Sequence, residues 1–183
     1  MNAETEIVFQ TARLLARPFQ PDEDAAGAFA LYGDSEVTRY LSLGKVDTDI
    51  VVTTERLKRY RSVENGRGIM ALVAKEAPGE IIGTILLKRL PDGYGNATAE
   101  WEVGWHLARS VWGKGYATEA GAAVLEYGFA ERGLSEIFAV VDSGNEASRK
   151  VVERLQMIYQ GQTERYYGQT LDLFKALPAS LNL

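Results

Sequence analysis

Residues 100–133 constrain this chain more than any other stretch, because three local signals follow one another there without a gap. Glu100 to Leu107 (EWEVGWHL) alternates as a half-buried strand does, with Trp101, Val103, Trp105 and Leu107 on one face. A glycine turn follows at Trp112-Gly113-Lys114-Gly115. From Thr118 to Arg132 apolar residues recur at helical spacing (Ala120, Val124, Tyr127, with Leu125 and Phe129 alongside), and Gly133 is placed to stop the helix. A strand that turns through glycines into a helix N-terminus builds an anion site. The glycines let backbone come close, the first helical N–H groups lack internal partners, and the helix dipole favours negative charge. The spacing predicts a phosphate-bearing ligand at residues 113–118.

Two familiar glycine loops do not fit. A P-loop closes on a Lys-Ser/Thr pair, whereas Lys114 lies between the glycines with no hydroxyl directly after it. A dinucleotide fingerprint needs a third Gly or Ala after two spacers. Here Gly113-x-Gly115 runs on to Tyr116, Ala117 and Thr118, out of register by one and past the middle of the chain.

The segment instead resembles the acyl-CoA pyrophosphate loop of the GNAT superfamily of N-acyltransferases, Gln/Arg-x-x-Gly-x-Gly/Ala. That pattern falls on Trp112, Gly113, Lys114, Gly115, Tyr116 and Ala117, with Trp112 replacing the usual Gln or Arg. The substitution is similar to the branch of ribosomal-protein N-terminal acetyltransferases. Three more segments resemble that branch in order: Thr11–Phe19 its first strand, Glu36–Leu41 its acceptor-side helix, and Asn145–Met157 its second CoA-contacting helix.

The rest of the chain supplies the elements such a fold needs. Arg13 to Phe19 predicts a strand ended by Pro18 and Pro21. Helices are expected at Asp22–Tyr32, at Asp34 or Ser35 to Tyr40, and from a Thr48 cap to about Glu64, with Asn65-Gly66 as the stop. Strands are expected at 69–75, 81–89 and 137–141, a helix at 145–155, and two closing strands at about 158–165 and 171–176. The order implies α/β architecture: one domain over residues 1–183, with one mixed sheet and helices on its faces. The resemblance makes that sheet seven-stranded and mostly antiparallel, with splayed central strands.

Composition narrows the function classes. The chain has 183 residues, 46% hydrophobic and 25% charged, enough for one well-packed core. No apolar run approaches the roughly 18 residues of a membrane span, and the N-terminus lacks the order of a signal peptide, so a cytoplasmic location is expected. With no cysteine, no cysteine thioester can carry an acyl group; with one histidine, a zinc site is not expected, nor is any other metal. A net charge of −5 argues against a general nucleic-acid binder.

Acetyl transfer to an amine needs a bound thioester, a neutral amine, and stabilisation of the oxyanion and leaving thiolate. The resemblance implies acetyl-CoA as donor. Its pantetheine arm would lie on the backbone of Trp105, His106 and Leu107, and its phosphates on Trp112 to Thr118. Glu102 is the leading general base, or the residue that orders a water acting as one. It stands on the strand entering the site, opposite in parity to the apolar residues, with Glu100 and the lone His106 as rivals; Glu100 is also a candidate on the acceptor side. Asn145 is placed to cap its helix, and by resemblance also to bond the pantetheine. Ser148 matches a hydroxyl position near the thioester sulfur, while the tyrosine acid common in the family is replaced by Val152. Lys114, Arg149 and Lys150 are phosphate candidates, and Tyr40 belongs to the acceptor-side segment. The expected function is acetyl transfer from acetyl-CoA to a primary amine, either a protein N-terminus or a small molecule, by a monomer or homodimer. The competing reading is an acyl-CoA-binding or sensing module of weak activity.

Overall fold

Among the described residues eight strands make one sheet in the order β1-β2-β3-β4-β5-β6-β8-β7. They are β1 (Phe9–Gln10), β2 (Leu14–Pro18), β3 (Ile69–Ala74), β4 (Ile81–Pro91), β5 (Ala97–Leu107), β6 (Ile137–Val141), β7 (Ile158–Thr163) and β8 (Leu171–Ala176). The computed structural model describes residues 6–41 and 44–178, so residues 1–5 and 179–183 of the expected domain lie outside the described ones. Neighbours β1–β2, β2–β3, β3–β4, β6–β8 and β7–β8 are antiparallel. β5 and β6 run parallel, in register where Glu102 faces Phe138. The mixed, mostly antiparallel sheet is as expected, but it has eight strands, not seven. The added strand, β1, has two residues opposite Ala16 and Leu15, too few to leave a periodic signal.

Among the described residues five α-helices accompany the sheet: α1 (Pro21–Tyr32), α2 (Ser35–Thr38), α3 (Ile50–Ser62), α4 (Tyr116–Ala130) and α5 (Glu146–Arg154). Their ends are set by caps. Asp49, not the expected Thr48, caps α3: its Oδ1 accepts from the Val52 N–H at 3.0 Å. Thr48 instead donates its hydroxyl to Asp49. α2 is one turn long, capped by Asp34, and stops at Thr38 short of the expected Tyr40. α4 starts two residues earlier than the apolar periodicity indicates, directly after Gly115, and ends before Gly133.

The chain divides into two compact units, Met1–Leu86 with Trp105–Tyr116, and Leu87–Gly104 with Ala117–Leu183. The first has a core of Phe19, Leu31, Tyr32, Leu57, Ile69, Val73 and Ile81. Each such side chain removed from water contributes about 1.5–3 kcal/mol. Two ion pairs flank it. Arg17 and Asp24 meet in two hydrogen bonds of 2.8 and 2.7 Å. Asp47 receives Arg56 at 2.6 Å and the Thr53 hydroxyl at 2.9 Å. Gly83 on β4 lets the end of β5 come close: a Cβ there would lie 2.4 Å from the His106 carbonyl oxygen and 2.5 Å from Leu107 Cδ2. Any side chain at Gly83 would push away the strand end that leads into the glycine turn.

In the second unit the buried residues include Leu87, Leu90, Val103, Val124, Leu125, Ile137, Val152 and Phe174. Trp101 is buried under two guanidinium groups, those of Arg89 and Arg132, at 4.3 and 4.7 Å from its ring. The β7–β8 hairpin closes through Tyr166–Gln169, and Tyr166 forms a bridge with Asp92 in the turn between β4 and β5.

Candidate active site

In the first unit the glycine turn is held from both ends. Gly113 and Gly115 have φ of +74° and +82°, the left-handed region that other residues enter only with strain. The Trp112 indole N–H donates to the Leu107 carbonyl at 2.8 Å, tying the turn back to the end of β5. Arg13, on the segment entering β2, donates to the Lys114 carbonyl at 3.0 Å and lies 4.5 Å over the Tyr116 ring. Tyr116 is buried, and its hydroxyl donates to Glu76 at 3.0 Å. The side chains of Trp112 and Tyr116 therefore shape the turn, and its exposed surface is backbone with the Lys114 side chain and part of the Trp112 ring.

His106 is half-buried, and its Nδ1 lies 3.1 Å from the Tyr32 hydroxyl, which also contacts the Thr84 hydroxyl at 2.7 Å. Burial above all, then the nearby Tyr60, raises the Tyr32 phenol well above its usual pKa. It stays neutral, and one of the two ring nitrogens of His106 is engaged with a core residue. Tyr40 is exposed beside Arg39, whose guanidinium lies 5.3 Å from its ring.

In the second unit Glu102 is the most constrained of the expected residues. It is only 7% exposed, so it is no solvated strand-face glutamate. Its Oε2 accepts from Lys88 Nζ at 2.9 Å and from the Tyr167 hydroxyl at 2.5 Å, and those two donors are themselves 2.8 Å apart. No described residue donates to Oε1. Glu100, two residues earlier on β5, accepts from Arg165 at 2.8 Å. The Thr98 hydroxyl first, and the Arg165 guanidinium after it, hold the Glu100 carboxyl below the usual carboxylate range. A carboxyl held below its usual range takes up a proton less readily than a free glutamate. Both glutamates are thus held from the same turn between β7 and β8, by Arg165 and Tyr167.

At the start of α4, Thr118 Oγ1 is buried without a hydrogen-bond partner, and Ala117 beside it is half-buried. Asn145 caps α5 as expected, its Oδ1 accepting from the Ser148 N–H at 3.1 Å. The Asn145 amide NH2 and the Ser148 hydroxyl make no side-chain bond with a described residue. Arg149 is committed otherwise: its guanidinium pairs with buried Asp172 at 2.9 Å.

Sequence reasoning missed Lys88 and Arg13; it offered Tyr167 only as one of several aromatics that could line an acceptor pocket, with no link to Glu102. One signal was present for Lys88, which with Arg89 interrupts the largely apolar run Ile81–Leu90, where a charge needs a partner. Tyr167 and Arg13 carried none, since their partners lie 65 and 101 residues away.

Residues 13–158 match the Acetyltransferase (GNAT) domain family. YkkB of Bacillus subtilis (strain 168) is 34% identical over 177 residues, 96% of this chain and 97% of its own. YoaA of the same organism, an uncharacterized N-acetyltransferase, is 31% identical over 163 residues, 88% of this chain and 89% of its own. Among solved structures, a GNAT-family acetyltransferase from Bacillus anthracis superposes with a TM-score of 0.73 at 22% identity, covering 92% of this chain and 96% of that one. A ribosomal-protein-S5-alanine acetyltransferase from Vibrio fischeri gives 0.68 at 18% identity, covering 92% and 95%. At those identities the two structures speak for the fold alone.

Proposed function

Since the chain belongs to the GNAT acetyltransferase domain family, we propose that it moves an acetyl group from acetyl-CoA to a primary amine by direct attack in a ternary complex. The observation that carries the reading is the start of α4. Two glycines in the left-handed region lead into a 15-residue helix whose first turn holds a buried, unpartnered hydroxyl, Thr118 Oγ1. Backbone N–H groups of Gly113 to Thr118 and that hydroxyl suit a pyrophosphate. Bound acetyl-CoA would supply an activated thioester carbonyl.

The remaining roles belong to the chain. Backbone groups of Trp105, His106 and Leu107 bond the pantetheine arm, joined by the Asn145 amide, whose NH2 its capping role leaves available. Lys114, Arg149 and Lys150 add positive charge for the phosphates, Arg149 with part of its guanidinium already given to Asp172. Glu102 takes the amine proton at Oε1, directly or through a water, and Ser148 donates to the departing thiolate. Tyr40 and Glu100 border the acceptor. The protein works in the cytoplasm as one domain, as a monomer or homodimer.

A thiol-release assay with a panel of amines and N-terminal peptides at saturating acetyl-CoA tests the reading: acceptor-dependent turnover supports it. One observation favours the second reading, an acyl-CoA-binding or sensing module. Val152, fully buried, stands where the family resemblance would place a tyrosine acid. Binding of acetyl-CoA with no turnover on any acceptor would select that module.

A further inference from the structure

Tyr167 stands where its backbone is strained. The turn Tyr166–Gln169 is closed by the Gln169 N–H on the Tyr166 carbonyl, and its central residues, Tyr167 and Gly168, have φ of +58° and +64°. Positive φ at both positions is the mark of a type I′ turn, which Asn, Asp or Gly fill without strain and tyrosine does not. A costly residue at a turn needs a reason outside the turn. Here the hydroxyl reaches Glu102 Oε2 at 2.5 Å, and Lys88 Nζ meets the same oxygen at 2.9 Å from β4. Three elements converge on one carboxylate oxygen, and the other oxygen, Oε1, is left with no donor from the described residues and with some exposure to solvent.

We propose that Lys88 and Tyr167 are positioning residues that fix Glu102 through Oε2 and so present Oε1 to the amine acceptor. The inference rests on the base role proposed for Glu102. At that oxygen an N–H bond of the acceptor ammonium breaks and an O–H bond forms; the electron pair stays on nitrogen, which becomes the nucleophile. Lys88 offsets the carboxylate charge within the half-buried cluster, and Tyr167 sets the carboxyl rotation. The strain at Tyr167 is retained because no strain-free turn residue reaches Oε2.

The experiment compares Tyr167→Phe, Tyr167→Asn, Lys88→Met, Lys88→Arg and Glu102→Gln with the unmodified chain, reading kcat, acceptor KM, acetyl-CoA Kd and Tm. Tyr167→Phe and Lys88→Met should each lower kcat roughly 10-fold or more, short of the ~10²–10⁴ of losing a positioned base. Acetyl-CoA Kd should be unchanged, and Lys88→Arg should recover part of the loss. Tyr167→Asn should fold with an equal or higher Tm and still lose kcat, which a purely structural tyrosine would not do. In the Glu102→Gln background neither substitution should lower kcat further.

If Glu102→Gln loses turnover while Tyr167→Phe and Lys88→Met keep it, the positioning is overturned and the base role stands. If Glu102→Gln keeps turnover, or no amine is acetylated, the base role falls. The positioning is then decided by the NMR resonance of the Glu102 carboxyl carbon at fixed pH. It should move in Tyr167→Phe and Lys88→Met and stay in Tyr94→Phe, a change at a fully exposed ring. An unmoved resonance overturns the positioning.

Discussion

The indole of Trp112 donates its N–H to the carbonyl oxygen of Leu107 at 2.8 Å, so the residue that departs from the Gln/Arg pattern is the clasp between β5 and the glycine turn. The ring itself is half exposed, so its one polar bond is what fixes it. Trp112→Phe keeps an aromatic ring, smaller than the indole, and removes the bond, an interaction worth about 0.5–1.5 kcal/mol. Acetyl-CoA affinity should fall by a factor of about 2 to 10, the equivalent of that energy, with little change in Tm. Titration calorimetry reads it, and an unchanged Kd would show that the clasp does not hold the phosphate loop.

Gly115→Val should abolish acetyl-CoA binding in a folded protein. The first reason is conformational: φ is +82°, where a β-branched residue costs roughly 1–3 kcal/mol. The second is the ligand, since a side chain there would crowd a pyrophosphate at the helix N-terminus; against the protein the added Cβ makes only an ordinary contact, 3.5 Å from the Arg13 guanidinium. Circular dichroism checks the fold and calorimetry the binding. Full affinity in a folded variant places the phosphates elsewhere.

Acetyl-CoA should raise Tm, and NAD and ATP should not, because the turn fits the acyl-CoA pattern and misses the other two. At about 100 times Kd, ligand linkage adds roughly 2.7 kcal/mol to stability. Thermal melts with each ligand decide it; a rise with NAD alone would count against the whole reading.

Glu102→Gln should lower kcat by on the order of 10²–10⁴ with acetyl-CoA affinity kept. Glu100→Gln should do far less, because the Arg165 guanidinium occupies the Glu100 carboxylate while Glu102 keeps one oxygen with no donor from the described residues. Ser148→Ala should fall between, since water can replace a hydroxyl that only assists the thiolate. Steady-state rates across pH test the order, and a larger loss at Glu100 would transfer the base role to it.

Acid stability should depend on Asp47. Burial pushes its carboxyl up, but the Arg56 guanidinium and the Thr53 hydroxyl more than reverse this and leave it below the usual value. A depressed folded pKa gives stability that is present above the unfolded value, near pH 4, and is lost as pH falls through the folded one. Asp47→Asn should flatten that acid limb. It should also destabilise at neutral pH by about 3–5 kcal/mol, by leaving Arg56 without its partner. Urea unfolding from pH 3 to pH 7 measures both, and an unchanged acid limb would remove Asp47 from the account.

Signals that act within a turn or two were legible in the chain itself. Alternation at 100–107, two glycines and a helical period named the strand, the glycine turn and α4, because φ, ψ and side-chain period are properties of neighbouring residues. Asn145 was readable as a cap for the same reason: its acceptor serves an N–H three residues on. Glu102 was legible as a candidate, from its parity on a strand that enters the loop. Its setting was not. Lys88 is 14 residues away, Tyr167 is 65, and both reach Oε2 only because of which strands and turns the sheet brings side by side. The same holds for Arg13 and Lys114, 101 residues apart. Sequence alone determined the local geometry of the strand end, the glycine turn and the helix start. The tertiary structure decided which charges and hydroxyls meet at the carboxylate, because such meetings depend on strand order and turn conformation, which no short stretch of sequence encodes.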